Sequence, residues 1–307
     1  MSNISIAMAT YNGEKYLREQ LDSILTQSIQ DFELIVCDDC STDSTVQILN
    51  EYAARDKRIN IFVNEQNLGF KKNFEKIISL CSGNYIALSD QDDVWTENHL
   101  QVLLESIGNN DLVGANAFLC DEKANPIGVD LLSCSKIEFF PNSKDDWFFF
   151  LLHSNIFQGA ACMFRKTLVQ KAIPIPENVK FHDYWLALIA SANGGVVYIN
   201  ECVLYYRQHG TNITKNEKWN FWKKLKLQKN AKNDAIMKEN VLKAFLKTQD
   251  ISFAKRSCAT SSLKYHSQKK NCPFCLKYFV RNYKKIYLSK NKKLFFARLL
   301  KNVLRGY

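Results

Sequence analysis

Residues 32–44 read Phe32-Glu33-Leu34-Ile35-Val36-Cys37-Asp38-Asp39-Cys40-Ser41-Thr42-Asp43-Ser44. The first six are apolar but for Glu33, a run of the length of a buried strand. Asp38 and Asp39 break it. Ser41 to Ser44 then supply N-cap candidates for a helix through about Ala54. The same unit recurs on either side. Upstream, Ile4 to Ala9 is a short apolar run ending at Thr10-Tyr11-Asn12-Gly13, and Tyr16, Leu17, Leu21, Ile24 and Leu25 follow at helical spacing. Downstream, Ile59 to Val63 reads as a third strand. Asn67 to Ser82 has helical spacing through Phe70, Phe74, Ile77 and Ile78, and Gly83 stops it. Tyr85 to Leu88 is a fourth strand that runs into Ser89-Asp90-Gln91-Asp92-Asp93.

Strand and helix in alternation predict an α/β fold with a mostly parallel sheet between helices. Such sheets bind ligands beyond the carboxyl ends of their strands. Three of the four strands end in polar clusters, so Asp38, Asp39, Asp90, Asp92 and Asp93 are expected on one rim. No G-x-G-x-x-G follows the first strand and no G-x-x-x-x-G-K-[ST] occurs anywhere, so neither ordinary phosphate loop is available. A rim of carboxylates suits a divalent cation held between the protein and an anionic ligand. Mg²⁺ takes one or two carboxylates and leaves positions for water and phosphate. Alone, an acidic tetrad is more often a capped turn; its place after a buried strand, beside Asp38-Asp39, favours the metal.

Beyond residue 112 the pattern weakens. Leu112 to Phe118, Ala160 to Phe164 and Val196 to Ile199 are strand candidates. His182 to Ala192 is a helix candidate, Asp145 to His153 is a bulky apolar helix or strand, and residues 120–145 look irregular. The charge is divided as well. The 307 residues carry +10 overall, but residues 215–307 hold 25 Lys and Arg against Glu217, Asp234, Glu239 and Asp250, a balance of +21, and the first 214 residues 16 against 27, a balance of −11. With 46% hydrophobic residues, disorder and low complexity are excluded. No basic, apolar leader opens the chain, so no secretory signal is expected. No apolar run approaches the roughly 18 residues of a membrane span. Ten cysteines without an export signal predict reduced thiols. The Cys37/Cys40 and Cys272/Cys275 spacings permit zinc or redox use, but one pair straddles a strand end and the other lies far off in the basic region.

The ordered motifs resemble those of family 2 glycosyltransferases with the GT-A fold, over about residues 3–212. Ala9-Thr10-Tyr11-Asn12-Gly13 resembles the family's nucleotide-contacting loop. Val36 to Asp43 resembles its second motif, in which the second aspartate, here Asp39, contacts the base. Asn67-Leu68-Gly69 resembles the segment before the third helix, and Asp90-Gln91-Asp92-Asp93 the D-x-D motif that holds ribose and metal. His182-Asp183-Tyr184-Trp185 falls where the family places its acidic motif, making Asp183 the candidate base; here His182 stands where an acid is common. Arg207-Gln208-His209-Gly210 resembles a later segment whose histidine approaches the metal or diphosphate. The resemblance thus implies Thr10, Tyr11, Asn12, Asp38, Asp39, Asp90, Gln91 and Arg207 at the nucleotide-sugar, Asp92, Asp93 and His209 at Mg²⁺ or Mn²⁺, and Asp183 as the catalytic base. The Ser89 to Trp95 string is most similar to a branch with many bacterial rhamnosyltransferases, and also to O-antigen glucosyl- and galactosyltransferases.

The implied reaction is sugar transfer from dTDP-rhamnose or a UDP-hexose, with inversion, to a hydroxyl of a lipid-linked glycan in O-antigen or capsule synthesis. One base activates the acceptor hydroxyl, and a metal offsets the charge of the leaving diphosphate; a glycosidase instead needs two carboxylates flanking the bond. Residues 1–214 are then the catalytic domain. Residues 215–307 form a basic, mainly helical region at the cytoplasmic membrane surface, with Lys223-Lys224, Lys284-Lys285 and Lys292-Lys293, near Trp219, Trp222, Phe295 and Phe296, as docking candidates. Two other functions compete. One is a nucleic-acid-binding protein acting through its basic region, whose strand-end acids would repel phosphates. The other is a nucleotidyltransferase, for which Thr10-Tyr11-Asn12-Gly13-Glu14 is not the expected phosphate loop.

Overall fold

The structure, a computed structural model, describes residues 3–135, 137–209, 223–268 and 272–288, with Phe295, Arg298 and Leu299. Gly210, Trp219, Phe221, Trp222, Lys292, Lys293 and Phe296 lie outside the described residues. The chain divides into two compact units. The first comprises Met1–Ser135, Phe157–Ile175 and Phe181–Thr214, the second Lys136–Ile156, Pro176–Lys180 and Lys215–Tyr307.

In the first unit the chain runs β1 (Ile4–Thr10), α1 (Leu17–Leu25), β2 (Phe32–Asp38), α2 (Thr45–Ala53), β3 (Ile59–Val63), α3 (Phe70–Leu80), β4 (Tyr85–Ser89), β5 (Val94–Trp95), α4 (His99–Ser106) and β6 (Leu112–Cys120). β7 (Pro126–Asp130) and α5 (Leu131–Ser135) follow. α6 (Lys144–Leu151) belongs to the second unit, after which β8 (Cys162–Arg165), α7 (Val169–Ala172), α8 (His182–Ala192) and β9 (Val196–Arg207) complete the first. The sheet order is β3-β2-β1-β4-β8-β6-β9-β5, with β7 on β6.

The first four strands are parallel, in the predicted order of strand and helix. β1 is buried on both faces, with Ile4, Ile6 and Met8 to one side and Ser5 and Ala7 to the other, as a central parallel strand requires. Ile6 lies in register with Leu34 on β2 and Ala87 on β4. α1 covers the sheet with Leu17, Leu21 and Ile24, one helical face. The sheet as a whole is mixed, however, not mostly parallel: β4–β8, β6–β8, β6–β7 and β5–β9 are antiparallel, against parallel β1–β2, β2–β3, β1–β4 and β6–β9. β8 inserts between β4 and β6, and β9 between β6 and β5, pairings between segments far apart in sequence that a local pattern does not reveal. β9 also continues to Arg207 rather than stopping at Ile199, because β5 and the end of β6 pair with its second half.

The second unit contains α6, α9 (Lys223–Thr248), α10 (Phe253–Ser267) and α11 (Pro273–Tyr287). Basic and helical segments were expected from residue 215; residues 136–156 and 176–180 join them, having been expected in the preceding domain. Ser143 caps α6 through the Asp146 N–H (3.1 Å), and Lys285 of α11 pairs with Asp146 at 2.7 Å. α11 starts with Pro273 after the cap Cys272, whose Sγ accepts from the Cys275 N–H at 3.5 Å. Cys275 itself is buried with Tyr265, Phe279 and Tyr283. This second cysteine pair therefore caps and packs a helix. All ten cysteines are free thiols. Among the described residues no helix is long and apolar enough to cross a membrane.

Gly83 marks where β1 and β4 lie tightest. A Cβ there would stand 2.7 Å from the Ser5 backbone nitrogen, and backbone cannot rotate away. G83A is expected to cost about 1–3 kcal/mol, read as a lowered urea midpoint; an unchanged midpoint would show that this edge yields freely.

Candidate active site

A cavity of about 790 Å³ opens at the carboxyl ends of β1, β2 and β4, a volume typical of small-ligand sites. Its wall takes Thr10, Tyr11 and Asn12 from the loop after β1, Asp39 after β2, and Asp90, Gln91 and Asp92 after β4. His209 follows β9, and Asp183 opens α8. Nine of the twelve residues expected at the site thus meet in one cavity. Asp38, Asp93 and Arg207 do not line it.

The loops after β1, β2 and β4 are laced together by polar side chains. Asp38 is fully buried behind the cavity and accepts from Thr10 Oγ1 (2.9 Å), the Ser41 N–H (2.8 Å) and Ser41 Oγ (2.6 Å). It was expected at the nucleotide; its oxygens instead close the turn after β2. Asn12, at φ 47°, receives the Thr42 N–H on its side-chain oxygen at 2.9 Å. Gln91 grips the Tyr11 peptide at both ends, accepting from its N–H at 2.8 Å and donating to its carbonyl at 3.0 Å. A Cβ on Gly13 would fall 2.2 Å from Gln91 Oε1, so only glycine admits this clasp. Asp39 accepts from Asn64 Nδ2, the Leu68 N–H and the Gly69 N–H, each at 2.8 Å. Helical spacing runs from Asn67 onward in the sequence, whereas the resemblance places Asn67-Leu68-Gly69 before the third helix, as the structure does. Asp39 takes the amides of Leu68 and Gly69, and Gly69 turns at φ 79°, so α3 begins only at Phe70.

Beyond the clasp lies an acidic group. Burial first, then Asp92 and Asp183, push the Asp90 carboxyl up to about 7. Asp93, buried, is raised well above the ordinary range by burial, Asp92 and Asp90. Its Oδ1 accepts the Arg207 N–H at 3.2 Å, while Oδ2 meets no protein donor. Asp92 Oδ2 lies 2.8 Å from His209 Nε2, and His209 packs on Tyr16 at 5.0 Å.

Arg207 was expected at the donor, yet it is 1% exposed. Its Nε donates to the Asp92 carbonyl (2.7 Å), its Nη1 to the Glu122 carbonyl (2.6 Å) and its Nη2 to Glu19. The guanidinium also lies 4.6 Å from the Tyr16 ring centroid. It is the floor of the acid loop rather than a ligand contact.

The fit to a divalent cation follows from these positions. Among the described residues no three His, Cys, Asp or Glu side chains form a metal cage. Asp92 and His209 offer one carboxylate and one imidazole at the cavity wall, and a cation relieves the crowding that raises Asp90. One or two protein ligands are what Mg²⁺ takes when phosphates complete its shell. Asp93 is expected in that set, but it lies under the loop.

Asp183 stands in the first turn of α8. Burial raises its carboxyl to about 6, against the pull of the Tyr184 and Gly159 amides; Oδ1 accepts from the Tyr184 N–H at 2.6 Å. It is thus ionised at neutral pH yet basic enough to take a proton. Sequence reasoning missed Lys15, Tyr16, Asn73, Gln158 and Gly159, which also line the cavity. Asn73 had a signal, a polar residue inside an apolar helical face; it donates to the Cys37 carbonyl at 2.8 Å. Gln158 and Gly159 had none, since they reach the site only by the antiparallel return of β8.

A nucleotide-sized cavity at the strand ends, acidic at its centre, marks a transferase of the GT-A type. Residues 5–172 match the model of glycosyl transferase family 2, and the chain belongs to that family. It is 31% identical over 212 residues to the uncharacterized glycosyltransferase MJ1057 of Methanocaldococcus jannaschii, covering 66% of this chain and 70% of that protein. Residues 1–349 of S. aureus TarS, solved in complex with UDP-GlcNAc, superpose with a TM-score of 0.61 at 18% identity, covering 98% of this chain and 81% of that fragment. The mannosyltransferase PcManGT of Pyrobaculum calidifontis, solved with GDP-Man and Mn²⁺, gives 0.55 at 14%, covering 100% and 88%. The protein is a glycosyltransferase with the GT-A fold, and the reading of its basic region as a nucleic-acid-binding end has no support.

R207K is expected to lower stability by about 1–3 kcal/mol for each buried carbonyl left without a donor. An ammonium cannot span the Asp92 and Glu122 carbonyls together. Urea unfolding measures it; an unaltered midpoint would contradict the role given to Arg207.

Proposed function

We propose that the protein transfers a sugar, with inversion, from a UDP- or dTDP-linked donor to a hydroxyl of a lipid-linked glycan in cell-surface polysaccharide synthesis. The observation that carries this reading is one cavity in which Asp90 and Asp92, beside His209, share space with a separate half-buried carboxylate, Asp183. Asp39 and the Thr10-Tyr11-Asn12 loop take the nucleoside end of the donor. Asp38, Gln91 and Arg207 hold those loops in place. Mg²⁺ or Mn²⁺, when held by Asp92 and His209, supplies Lewis-acid relief of charge on the leaving diphosphate. Asp183 takes the proton of the acceptor hydroxyl as that oxygen attacks the anomeric carbon from the face opposite the leaving group. Binding of UDP-GlcNAc by TarS and of GDP-Man by PcManGT supports a nucleotide-sugar donor. The Ser89 to Trp95 string favours a rhamnosyl or hexosyl group.

A base works only when ionised. With the Asp183 carboxyl at about 6, kcat/KM is expected to fall as pH drops through about 6. D183N is expected to abolish transfer while nucleotide-sugar binding survives. Nucleoside diphosphate release with Mg²⁺ or Mn²⁺ measures the first, and calorimetry the second; near-normal turnover in D183N would remove Asp183 from this role.

The second unit supplies the membrane contact, at the cytoplasmic face. α10 and α11 contain no Asp or Glu, and Lys277, Arg281 and Lys284 are exposed beside Val280 on α11, opposite the buried Cys275, Phe279, Tyr283 and Ile286. Phe253, at the start of α10, is 87% exposed. Phe295 was a docking candidate, but it stacks on Phe279 at 5.9 Å and takes no part. The protein is expected to float with phosphatidylglycerol-containing vesicles at low salt and to be released by high salt. Equal flotation with phosphatidylcholine alone, or none with either, would exclude this contact.

A further inference from the structure

His182 lines the cavity, and the reaction above leaves it unused. It is 8% exposed, and neither ring nitrogen has a protein hydrogen-bond partner. Its ring stacks on Phe74, with centroids 4.1 Å apart and planes 20° apart, and lies 6.2 Å from Phe70. A Cβ on Gly159 would stand 3.2 Å from Nε2, so the glycine is what lets the cavity wall pass this close to the ring. A phenyl ring would fill this aromatic slot without burying two polar atoms. Buried polar groups without partners are rare and call for an explanation. Burial also pushes the imidazole down to about 3, so it is neutral at any working pH. A neutral imidazole offers one N–H donor and one lone-pair acceptor. An anionic phosphate, which only accepts, can meet only the N–H; a sugar hydroxyl, which donates and accepts, can meet whichever ring nitrogen it faces.

We propose that His182 reads a hydroxyl of the donor's sugar, and so is a specificity-determining residue of this glycosyltransferase. The assignment rests on the sugar-transfer reading above. The donor side is favoured over the acceptor because the ring packs on α3, whose start Asp39 ties to the nucleoside end of the cavity. The hydroxyl takes the place of the partner that the ring nitrogen it faces lacks in the protein itself.

The test is calorimetric titration of wild type, H182F and H182N with UDP, dTDP, UDP-glucose, UDP-galactose, UDP-GlcNAc and dTDP-rhamnose, carrying forward the sugar nucleotide that wild type binds tightest. H182F is expected to fold with an equal or higher Tm and to bind the free nucleotide as wild type does. It should lose about tenfold or more in affinity for the nucleotide-sugar, with KM for the donor rising and kcat little changed. H182N, whose amide keeps a neutral donor and acceptor, should recover most of that affinity. H182A gives the same contrast if the phenyl ring misfits. Equal nucleotide-sugar affinity in wild type and H182F would overturn the assignment. So would a shift of the acid limb of the pH profile, which would mean that the ring acts through Asp183. Failure of wild type to bind any nucleotide or nucleotide-sugar would instead bring down the underlying reading of the site.

Discussion

The acid loop after β4 stands on one buried guanidinium. Arg207 donates to the carbonyls of Asp92 and Glu122 and to Glu19, and its own N–H meets Asp93. It ties the end of β9 to the loop after β4, to α1 and to the segment after β6. These stretches are far apart in sequence and converge only when the mixed sheet is complete. The loop that carries Asp90 and Asp92 is therefore formed last in logical order: it needs the strand that arrives at residue 207. Guanidinium suits this task because its five donors form a rigid fork and its charge is permanent.

That staple permits an arrangement that electrostatics alone disfavours. Asp90, Asp92 and Asp93 crowd together, and Asp183 adds to the field at Asp90. Like charges at short range raise one another's proton affinity. Asp38 and Asp39 are hydrogen-bonded by amide and hydroxyl donors, and the crowded carboxylates are those of the β4 loop. Two kinds of carboxylate thus share one cavity. Asp39 accepts three protein hydrogen bonds, whereas burial raises the carboxyls of Asp90 and Asp183. Pairs of groups whose environments differ in this way can do different work.

The first half of the sheet was legible in the sequence because its pattern is local. Each strand is a short apolar run, the first three are each followed by a covering helix, and β1, β2 and β4 end in polar clusters. The second half was not, since β8, β6 and β9 pair after long excursions and β5 is only two residues long. The site shows the same divide. Residues in strand-end motifs, such as Asp39, Asp90, Asp92 and Asp183, could be picked out by type and position. Whether a polar side chain turns toward the cavity or into the protein could not: Asp38 and Asp39 are adjacent, yet only the second lines the cavity. Arg207 and Asp93 likewise have the right chemistry at the right strand ends, but tertiary hydrogen bonds turn them inward. Gln158 and Gly159 belong to no local pattern at all.

The charge division survives the change in boundaries. The segments 136–156 and 176–180 bring Glu138, Asp145, Asp146 and Glu177 to the second unit with Lys136, Lys144 and Lys180, which moves its balance only from +21 to +20. Asp146 pairs with Lys285, an exposed pair of small energetic worth. α10 and α11 contribute no acid at all. On an ordinary solvated helix the two signs are interspersed, which gains i,i+4 pairs and avoids repulsion. A surface of one sign forgoes that gain and raises its own self-energy, and contact with an anionic surface recovers both. The first unit has the opposite sign, and its cavity gathers Asp39, Asp90, Asp92 and Asp183, a set that the cation proposed above would complete. Each unit is thus electrostatically incomplete, and by the sign that matches the chemistry assigned to it.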